Sequence, residues 1–486
     1  MVYKIFRIIY AGILILIFTT STVSASAGVK KDFRERQLVV HIEGVFDAKV
    51  SLKSFKGLKT SDLIAQVPSV LNGKSTMIKV PGKYLPGEFL LRVDYRKKEK
   101  DVPYPAERII YLNRQNVEIF VNPPYINNNQ KTKFNADEKE NTVYAEFIKG
   151  NAAKRKPLDL LRQFLLNYDR VTTDFYQQGI KEFNQRRVEY NNWLLEQAKI
   201  HQQLYVSHLF QFQYIPELAS GGNEKERLNQ LLKNYFEGIN FNDPLIIRSR
   251  ELSKFMDTYM GLYGMQAKTV ESRDTLFTQA GQVACEKASS GDGQVYGWIV
   301  DYFYSGYETY GINKGMTILE EHIKNPKCLT SKKQQILQRL EGMKRLIPGA
   351  KAPDFTMLDN KGKEFQLHQW KPKTAQKLIL FWTTSCVSCI ELVEQLQKWH
   401  SQPEHKLKLE IMAINLDEVP VGVEKWEKAI IPLSAWKHLQ AKEGVNSVVA
   451  KKYAILSTPA MFLIGSKNNT ITAVPVSFEE LIKNLK

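Results

Sequence analysis

Cysteine and histidine are scarce in this chain of 486 residues, which contains four and eight of them, respectively. Four cysteines are too few for a small domain that is held together by disulfide bonds. Outside the first 27 residues, no stretch is apolar enough to predict a membrane-spanning helix. The sequence also lacks a repeat of fixed period and low-complexity tracts, which excludes a solenoid and a disordered chain.

Hydrophobic side chains and positive charge, in contrast, are plentiful. Hydrophobic residues make up 43% and charged residues 24% of the chain, as in ordinary globular proteins, and the length predicts about two to four domains. Lys and Arg number 68 against 51 Asp and Glu, which gives a net charge of +17. This excess is spread along the chain without interleaved aromatic residues, so we expect a solvated basic surface and no nucleic-acid partner.

The first 27 residues have the pattern of a secretory signal peptide. A short basic segment precedes the apolar run Ile8–Phe18, and Ala25-Ser26-Ala27 supplies the small residues of a cleavage site. The apolar run is shorter than the roughly 20 residues that span a bilayer. We therefore expect an exported, periplasmic protein that meets an oxidising compartment.

The remaining chain divides into three stretches that differ in the spacing of apolar residues. Residues 28–124 contain short β-branched segments between Pro–Gly turns, which predicts an antiparallel β-sandwich. Residues 125–346 begin with a polar, Asn-rich linker and then follow helical spacing, which predicts an all-α region. Residues 347–486 alternate strands and helices, which predicts an α/β domain with a parallel strand pair. The expected fold class is multidomain α+β.

The strongest patterns define individual elements. The strands predicted in the first stretch are 38–42, 50–52, 77–80, 89–93 and 117–121. The helices predicted in the second stretch cover 158–168, 172–214, 224–236, 245–262, 268–290 and 314–345. The strands predicted in the third stretch are 378–382, 409–414 and 460–464, with a further helix at 424–430 or 434–440.

A Cys-x-x-Cys motif is the clearest chemical signal in the sequence. Cys386-Val387-Ser388-Cys389 follows the strand predicted at 378–382 and begins a predicted helix. A thiolate at the start of a helix faces free N–H groups and the positive end of the helix dipole, which lowers its pKa. A second thiol about one turn later can resolve a mixed disulfide. The motif predicts that Cys386 is the nucleophile and Cys389 the resolving thiol.

With this motif, residues 347–486 resemble the thioredoxin-like domain of TlpA/ResA-type periplasmic thiol–disulfide oxidoreductases. The matching segments are 349–355, 358–362, 381–389 and Thr458-Pro459. More weakly, residues 37–122 and the helical stretch after them resemble the β-domain and helical spacer that precede such domains. The resemblance implies disulfide exchange with protein substrates, by a reductase or isomerase that takes electrons from a membrane-side donor. It implies neither a cofactor nor a metal, and it leaves the oligomeric state open.

The resemblance also implies a substrate-binding surface beside the motif. Thioredoxin-like folds carry a cis-proline before the strand that corresponds to 460–464, and Pro459 occupies that position. The backbone of Thr458 is then expected to pair with an extended substrate segment. Trp382, four residues before Cys386, is expected to belong to the same surface.

Several residues depart from the pattern of the family. Ser385 replaces the usual Trp before the motif, and Ser388 replaces a common Pro within it. Leu392 stands where many relatives carry an acid, and the buried acid of cytosolic thioredoxins would fall on Leu380. These departures leave open the redox potential and the group, if any, that deprotonates Cys389.

Two other chemistries compete for the same cysteines. Cys386, Cys389, His400 and His405 have the spacing C-x2-C-x10-H-x4-H, which resembles that of a zinc finger. The spacer is short, and an exported protein is an unfavourable place for a reduced zinc site. Thr383-x-x-Cys386 matches half of a peroxiredoxin motif, but the close second cysteine favours disulfide exchange over peroxide reduction.

A non-enzymatic alternative comes from the rest of the chain. The stretches 28–124 and 125–346 carry no visible chemistry, so they are compatible with a binding or scaffold protein that has an ancillary redox domain. Cys285 and Cys328 lie 43 residues apart in the helical stretch. They are interpreted as a structural disulfide or as two buried free thiols, because sequence does not show their distance.

Overall fold

The computed structural model describes residues 35–56, 60–217, 223–418, 423–455 and 458–485. The predicted signal peptide therefore lies outside the described residues. Within these ranges, no helix combines the length and the hydropathy that a membrane crossing requires.

The N-terminal region consists of two four-stranded sheets with the strand orders β4-β1-β7-β8 and β3-β2-β5-β6. Alternate side chains of both sheets meet in one apolar core, as expected for strands packed face to face. The two-layer architecture predicted from the sequence is thus confirmed. The strands are Arg36–Ile42 (β1), Asp47–Lys56 (β2), Thr60–Leu71 (β3), Lys74–Val80 (β4), Gly87–Arg96 (β5), Tyr104–Leu112 (β6), Val117–Val121 (β7) and Lys133–Phe134 (β8).

The structure corrects two details of this region. The sandwich is not purely antiparallel, because β1 and β7 pair in parallel. Strands β3 and β6 were not predicted, and both lie at the edges of their sheet. Each contains a proline, Pro68 or Pro105, which edge strands tolerate but which weakens a strand pattern in the sequence. The short strand β8 extends the first sheet into the segment that the sequence assigned to a linker.

Eight helices form the middle of the chain, where the structure describes residues 140–217 and 223–345. Helices α1 and α2 pack with a 3-10 segment, Tyr205–Gln213, and the later helices share a second core. The helices are Glu140–Asn167 (α1), Asp174–Ile200 (α2), Glu224–Asn234 (α3), Glu251–Gly264 (α4), Val270–Ser289 (α5), Gly293–Tyr310 (α6), Asn313–Lys324 (α7) and Lys333–Arg345 (α8).

Helix α6 was missed in the sequence, and the helix predicted at 314–345 is two helices, α7 and α8. Nine residues of α6 are buried, and its glycines and many aromatic and β-branched residues have low helix propensity, which weakened the helical pattern in the sequence. The break between α7 and α8 contains Pro326, which removes a backbone donor and disfavours a continuous helix.

Two glycines of α6 offer a matched test of this packing. A Cβ at Gly297 would overlap the backbone of Leu329, whereas a Cβ at Gly306 has nothing within 4 Å. We expect Gly297→Ala to destabilise the protein by about 1–3 kcal/mol, because a backbone cannot give way as a side chain can. Gly306→Ala is expected to stabilise it by about 0.5–1 kcal/mol through helix propensity. Urea unfolding of both variants checks this; equal effects would contradict the close packing.

Cys285 and Cys328 are free thiols buried in the core of the later helices. The structure therefore shows the second of the two interpretations left open by the sequence, and not the disulfide. Burial raises the pKa of Cys328 to about 11 and that of Cys285 further still. Neither is a reactive thiolate at neutral pH.

The C-terminal region is built on a five-stranded sheet with the order β13-β12-β11-β14-β15, next to a β9–β10 hairpin. Its strands are Thr356–Leu358 (β9), Glu364–Gln366 (β10), Gln376–Trp382 (β11), Leu409–Asn415 (β12), Lys437–Gln440 (β13), Ala460–Gly465 (β14) and Ile471–Ala473 (β15). Its helices are Val387–His400 (α9), Pro403–Lys406 (α10), Val423–Ile430 (α11), Val448–Lys452 (α12) and Phe478–Lys483 (α13).

The central strand β11 is buried along its whole length, as predicted for a strand covered on both faces. It pairs in parallel with β12, which confirms the predicted crossover, and antiparallel with β14. Of the two positions considered for a further helix, 424–430 is correct, and most of 434–440 is instead the edge strand β13. The fold class is confirmed, while the exact domain boundaries remain a prediction.

Side-chain contacts join the three regions. The carboxylate of Glu88 in β5 is almost fully buried and accepts hydrogen bonds from the backbone and side chain of Arg250. At the other junction, Arg339 of α8 donates a hydrogen bond to the carbonyl of Ala454, 3.0 Å away. The helical region is therefore in direct contact with the sandwich and with the C-terminal region.

Candidate functional site

Cys386 lies at the N-cap of α9, as the sequence predicted. Its Sγ accepts a hydrogen bond from the backbone N–H of Cys389 at 3.2 Å, which satisfies one of the free donors of the first turn. Cys386 is half-buried, whereas Cys389 is completely buried. The predicted order of exposure is confirmed.

The two thiols differ in pKa because their surroundings differ. Partial burial pushes the pKa of Cys386 upward, but the hydrogen bonds with Cys389 and Ser388 help to bring it below its ordinary value. Ser388 Oγ lies 3.2 Å from Cys386 Sγ. For Cys389, burial is the largest influence and raises its pKa, and the neighbouring charge of Cys386 acts in the same direction. This division suits a nucleophile and a protonated resolving thiol.

These directions predict the alkylation behaviour of the reduced protein. We expect iodoacetamide to modify Cys386 first, with a pH midpoint below that of the same cysteine in the unfolded chain, because the fold favours its thiolate. Cys389 is expected to react only at higher pH. Peptide mapping by mass spectrometry over a pH series, with and without guanidinium chloride, measures both midpoints. A native midpoint at or above the unfolded one contradicts the assignment.

The two residues before β14, Thr458 and Pro459, lie next to the motif. The Thr458–Pro459 peptide bond is cis, which confirms the expectation for this position. Ala460 pairs with Phe381, so the sheet register places Thr458 next to the end of β11. Thr458 Oγ1 lies 3.4 Å from Thr383 Oγ1, and the Thr458 carbonyl accepts a hydrogen bond from Cys386 Sγ at 3.4 Å. The structure thus brings Cys386, Cys389, Thr458 and Pro459 together.

Trp382 lies elsewhere than the sequence analysis expected. Its side chain is only 2% exposed and packs in the same core as Cys389, Leu380 and Leu392. As the last residue of a strand buried on both faces, it points into the domain and does not reach the surface. The burial of Trp382 contradicts its predicted contact with substrate, and its side chain instead belongs to the core that contains Cys389.

Asp417 is a residue of the site that the sequence analysis missed. It follows β12, and its carboxylate accepts hydrogen bonds from the backbone N–H of Thr384 at 3.0 and 3.2 Å and from Asn415 Nδ2 at 2.8 Å. These contacts hold the segment between β11 and Cys386 against the neighbouring strand. The sequence did contain a signal for this contact. Asp417 stands just after a strand that pairs in parallel with β11, and parallel strands end at the same edge of a sheet.

The histidines of the zinc alternative do not face the cysteines. His400 Nε2 bonds to the carbonyl of Leu409, and its Nδ1 accepts from Trp436 Nε1. His405 Nδ1 bonds to the carbonyl of Trp399. Among the described residues, no group of three or more His, Cys, Asp or Glu side chains has the arrangement of a metal site.

The family comparison covers the region that carries this site. Residues 348–473 match the model of the AhpC/TSA family. The C-terminal part of the chain is a thioredoxin-like domain of this family. The thioredoxin-like domain is homologous to the curated thiol-disulfide oxidoreductases ResA of Bacillus thuringiensis subsp. konkukian and Bacillus cereus. Each is 26% identical over 130 residues, which cover 26% of this chain and 68% of the relative.

Solved structures are similar to parts of this chain as well. One is the thioredoxin domain of a thiol-disulfide oxidoreductase from Bacteroides vulgatus, at 26% identity and a TM-score of 0.25, covering 28% of this chain and 94% of that one. Another is a thioredoxin-like protein from Bacteroides caccae, at 18% identity and a TM-score of 0.37, covering 55% of this chain and 96% of that one.

Proposed function

We propose that this protein exchanges disulfides with protein substrates in the cell envelope, through Cys386 as the nucleophile and Cys389 as the resolving thiol. Two features of the motif carry the proposal. Cys386 is a half-buried thiol with a lowered pKa at the start of α9, and Cys389, three residues later, is fully buried. Homology of the thioredoxin-like domain to ResA supports the same chemistry.

The reaction proceeds in two exchanges. The Cys386 thiolate attacks a substrate disulfide, and one substrate sulfur leaves while the other forms a mixed disulfide with Cys386. Cys389 then attacks Cys386 Sγ, which releases the second substrate sulfur and leaves the Cys386–Cys389 disulfide. The backbone N–H of Cys389 stabilises the Cys386 thiolate before the first exchange. A membrane-side donor restores the dithiol, as a reductase or isomerase requires.

The surface around Cys386 favours an extended apolar polypeptide as substrate. Val387 and Ile390 on α9 are 70% and 41% exposed, although both are large hydrophobic residues. Thr458 and Pro459 border the motif on the other side, where the backbone of Thr458 would pair with a substrate strand. A segment of an unfolded protein supplies both the apolar side chains and the free backbone groups. In this proposal, residues 28–124 and 125–346 shape the access of such substrates to residues 347–486.

Equilibration with glutathione buffers tests the proposed function. The full chain is incubated at a series of ratios of reduced to oxidised glutathione, quenched in acid and mapped by mass spectrometry for the Cys386–Cys389 disulfide. A reduction potential near about −270 mV supports a reductase, and one near about −120 mV makes the protein an oxidant. A pair that stays reduced in every buffer, or that consumes hydrogen peroxide in preference to disulfides, overturns the proposal.

A further inference from the structure

Ala454 has a backbone conformation that is unusual for alanine. Its φ is +48°, in the left-handed region that favours glycine, and Asn469 is the other non-glycine residue with a positive φ in the described part of the chain. Asparagine adopts this region readily, whereas an alanine keeps it only where the surrounding contacts hold it there. Ala454 lies just after α12 and four residues before Thr458. The contacts that hold it therefore bear on the position of Thr458.

The helical region supplies one of these contacts through Arg339 of α8. Nη1 of Arg339 donates a hydrogen bond to the carbonyl of Ala454 at 3.0 Å. Nε donates to Glu308 Oε1 of α6, also at 3.0 Å, and both side chains are mostly buried. A guanidinium that is fixed by a carboxylate has a defined direction for its remaining donors. The carbonyl of Ala454 is thereby tied to the helical region.

Gly342 brings α8 close to the same residue. It is buried, and a Cβ added to it would lie 2.1 Å from Ala454 Cβ and 3.6 Å from Ala454 Cα. Glycine weakens the interior of a helix, so its presence here fits a need for close approach. The backbone of α8 and the methyl group of Ala454 therefore leave no room for a further carbon atom.

The residue before Ala454 is fixed in the core of the C-terminal region. Tyr453 is completely buried, and its ring packs against that of Phe381 with the centroids 5.4 Å apart. Phe381 in turn pairs with Ala460 across β11 and β14. Close-packed cores do not yield to small displacements. A shift of Ala454 caused by α8 is therefore expected to move the chain on the side of Thr458 and not Tyr453.

We propose that Arg339 and Gly342 are positioning residues that hold Ala454 and thereby set the place of Thr458, beside which a polypeptide substrate binds. The inference rests on the function proposed above for the same site. The helical region controls in this way how tightly polypeptide disulfides bind, although it contributes no group to the exchange. Small disulfides react with Cys386 without pairing with a backbone, so their reaction does not depend on this contact.

Single-turnover reactions of the reduced full chain with two disulfides test this role. Insulin presents polypeptide segments that can pair with Thr458, whereas 5,5′-dithiobis(2-nitrobenzoate) has no peptide backbone. Acid quenching and peptide mapping follow the oxidation of the motif, and a series of insulin concentrations separates the half-saturating concentration from the maximal rate. The variants are Gly342→Ala, Ala454→Gly and the double variant that combines them. Gly306→Ala is the matched control, because a Cβ at this glycine of α6 has nothing within 4 Å.

We expect Gly342→Ala to raise the half-saturating concentration of insulin about tenfold, because the added methyl group displaces Ala454. Its maximal rate, and its reaction with the small disulfide, should stay within about twofold of wild type. Ala454→Gly removes the overlapping Cβ and adopts the left-handed φ freely, so the double variant should recover most of the lost affinity. An effect of Gly342→Ala elsewhere in α8 would not be rescued in this way. Gly306→Ala is expected to behave like wild type.

A second pair of variants tests the hydrogen bond and does not depend on the folding of Gly342→Ala. Arg339→Gln removes the donor to the carbonyl of Ala454, and we expect the same selective loss for insulin, by about fivefold. Arg345→Gln, at an exposed position of the same helix, is the control and should leave both reactions unchanged.

Three results would overturn the positioning role. They are wild-type half-saturation by insulin in both Gly342→Ala and Arg339→Gln, a double variant as impaired as Gly342→Ala, and equal slowing of both disulfides. Each leaves the proposed function intact, because the wild type still exchanges disulfides. A wild type whose motif is oxidised by neither reagent overturns the proposed function and this inference together.

Discussion

Cys389→Ser is expected to accumulate a disulfide-linked complex between Cys386 and a disulfide-bonded protein such as insulin. The nucleophile remains at the start of α9, where the backbone still stabilises its thiolate. The thiol that resolves the mixed disulfide is missing, and the first exchange becomes the end of the reaction. Non-reducing gels and peptide mapping should show the complex at levels at least about tenfold above those of wild type.

The matched control is Cys386→Ser, which keeps Cys389 but leaves it completely buried. Because burial raises the pKa of Cys389, we expect no complex and no exchange in this variant. Cys285→Ser is the second control, since Cys285 is buried in the helical core away from the motif. If Cys386→Ser forms the complex as readily as Cys389→Ser does, the roles of the two cysteines are reversed.

This result would also separate the enzyme from the scaffold alternative. A scaffold with an ancillary redox domain would retain its partner in Cys386→Ser, since its binding surface would lie in the sandwich or the helices. Exchange through Cys386 instead makes every stable complex depend on that thiol. Reduction with dithiothreitol distinguishes the two, because it releases a disulfide-linked partner and leaves a surface-bound one in place.

The position of the Cys-x-x-Cys at the start of a helix was predictable from simple patterns, whereas the neighbouring loop was expected from the family resemblance. A strand of continuous apolar residues, a Cys-x-x-Cys and a helical period place Cys386 at the N-cap of α9. Thr458 and Pro459 precede the next strong strand, β14. Local periodicity decides the strands and the helix, and the resemblance to thioredoxin-like domains pointed to Thr458 and Pro459.

Residues whose role depends on distant partners were not predictable in the same way. Asp417 acts on Thr384, and that contact exists only because β12 pairs with β11. The exposure of Trp382 depends on how many layers cover the sheet, which a strand pattern does not reveal. Helix α6 was missed because its glycines and its many aromatic and β-branched residues have low helix propensity.

Lys377 is the clearest case of a residue whose contacts could not be read from the sequence. We expect Lys377→Met to lower the stability of the domain that carries the motif. The apolar run of β11 was predicted to begin at Leu378, but the strand begins two residues earlier and includes a fully buried lysine. Its Nζ donates hydrogen bonds to the carbonyls of Leu367 and Trp370, and to Asn469 Oδ1, at 3.2, 2.7 and 2.7 Å.

These three bonds fasten the central strand to the segment before it and to the turn between β14 and β15. Methionine fills a similar volume but leaves the three acceptors without their donor. We expect Lys377→Met to lower the free energy of unfolding by about 2 kcal/mol near pH 7. Lys373→Met is the matched control, because that lysine is exposed and its loss should change the stability by less than about 0.5 kcal/mol.

The pH dependence of the stability lost in Lys377→Met provides a second, independent test. Burial lowers the pKa of Lys377 from 10.5 to about 8, so the native state releases its proton before the unfolded chain does. Between about pH 8 and pH 10.5, the unfolded chain binds more protons, and the native state gains stability from this group as the pH rises. The difference in unfolding free energy between wild type and Lys377→Met should therefore widen over this window.

Short proteolysis of the full chain in urea, with mass-spectrometric detection of the protected C-terminal fragment, measures this difference at each pH. A constant gap would show that Lys377 keeps its ordinary acidity in the fold, and that the three acceptors bind an ammonium group without a cost of desolvation.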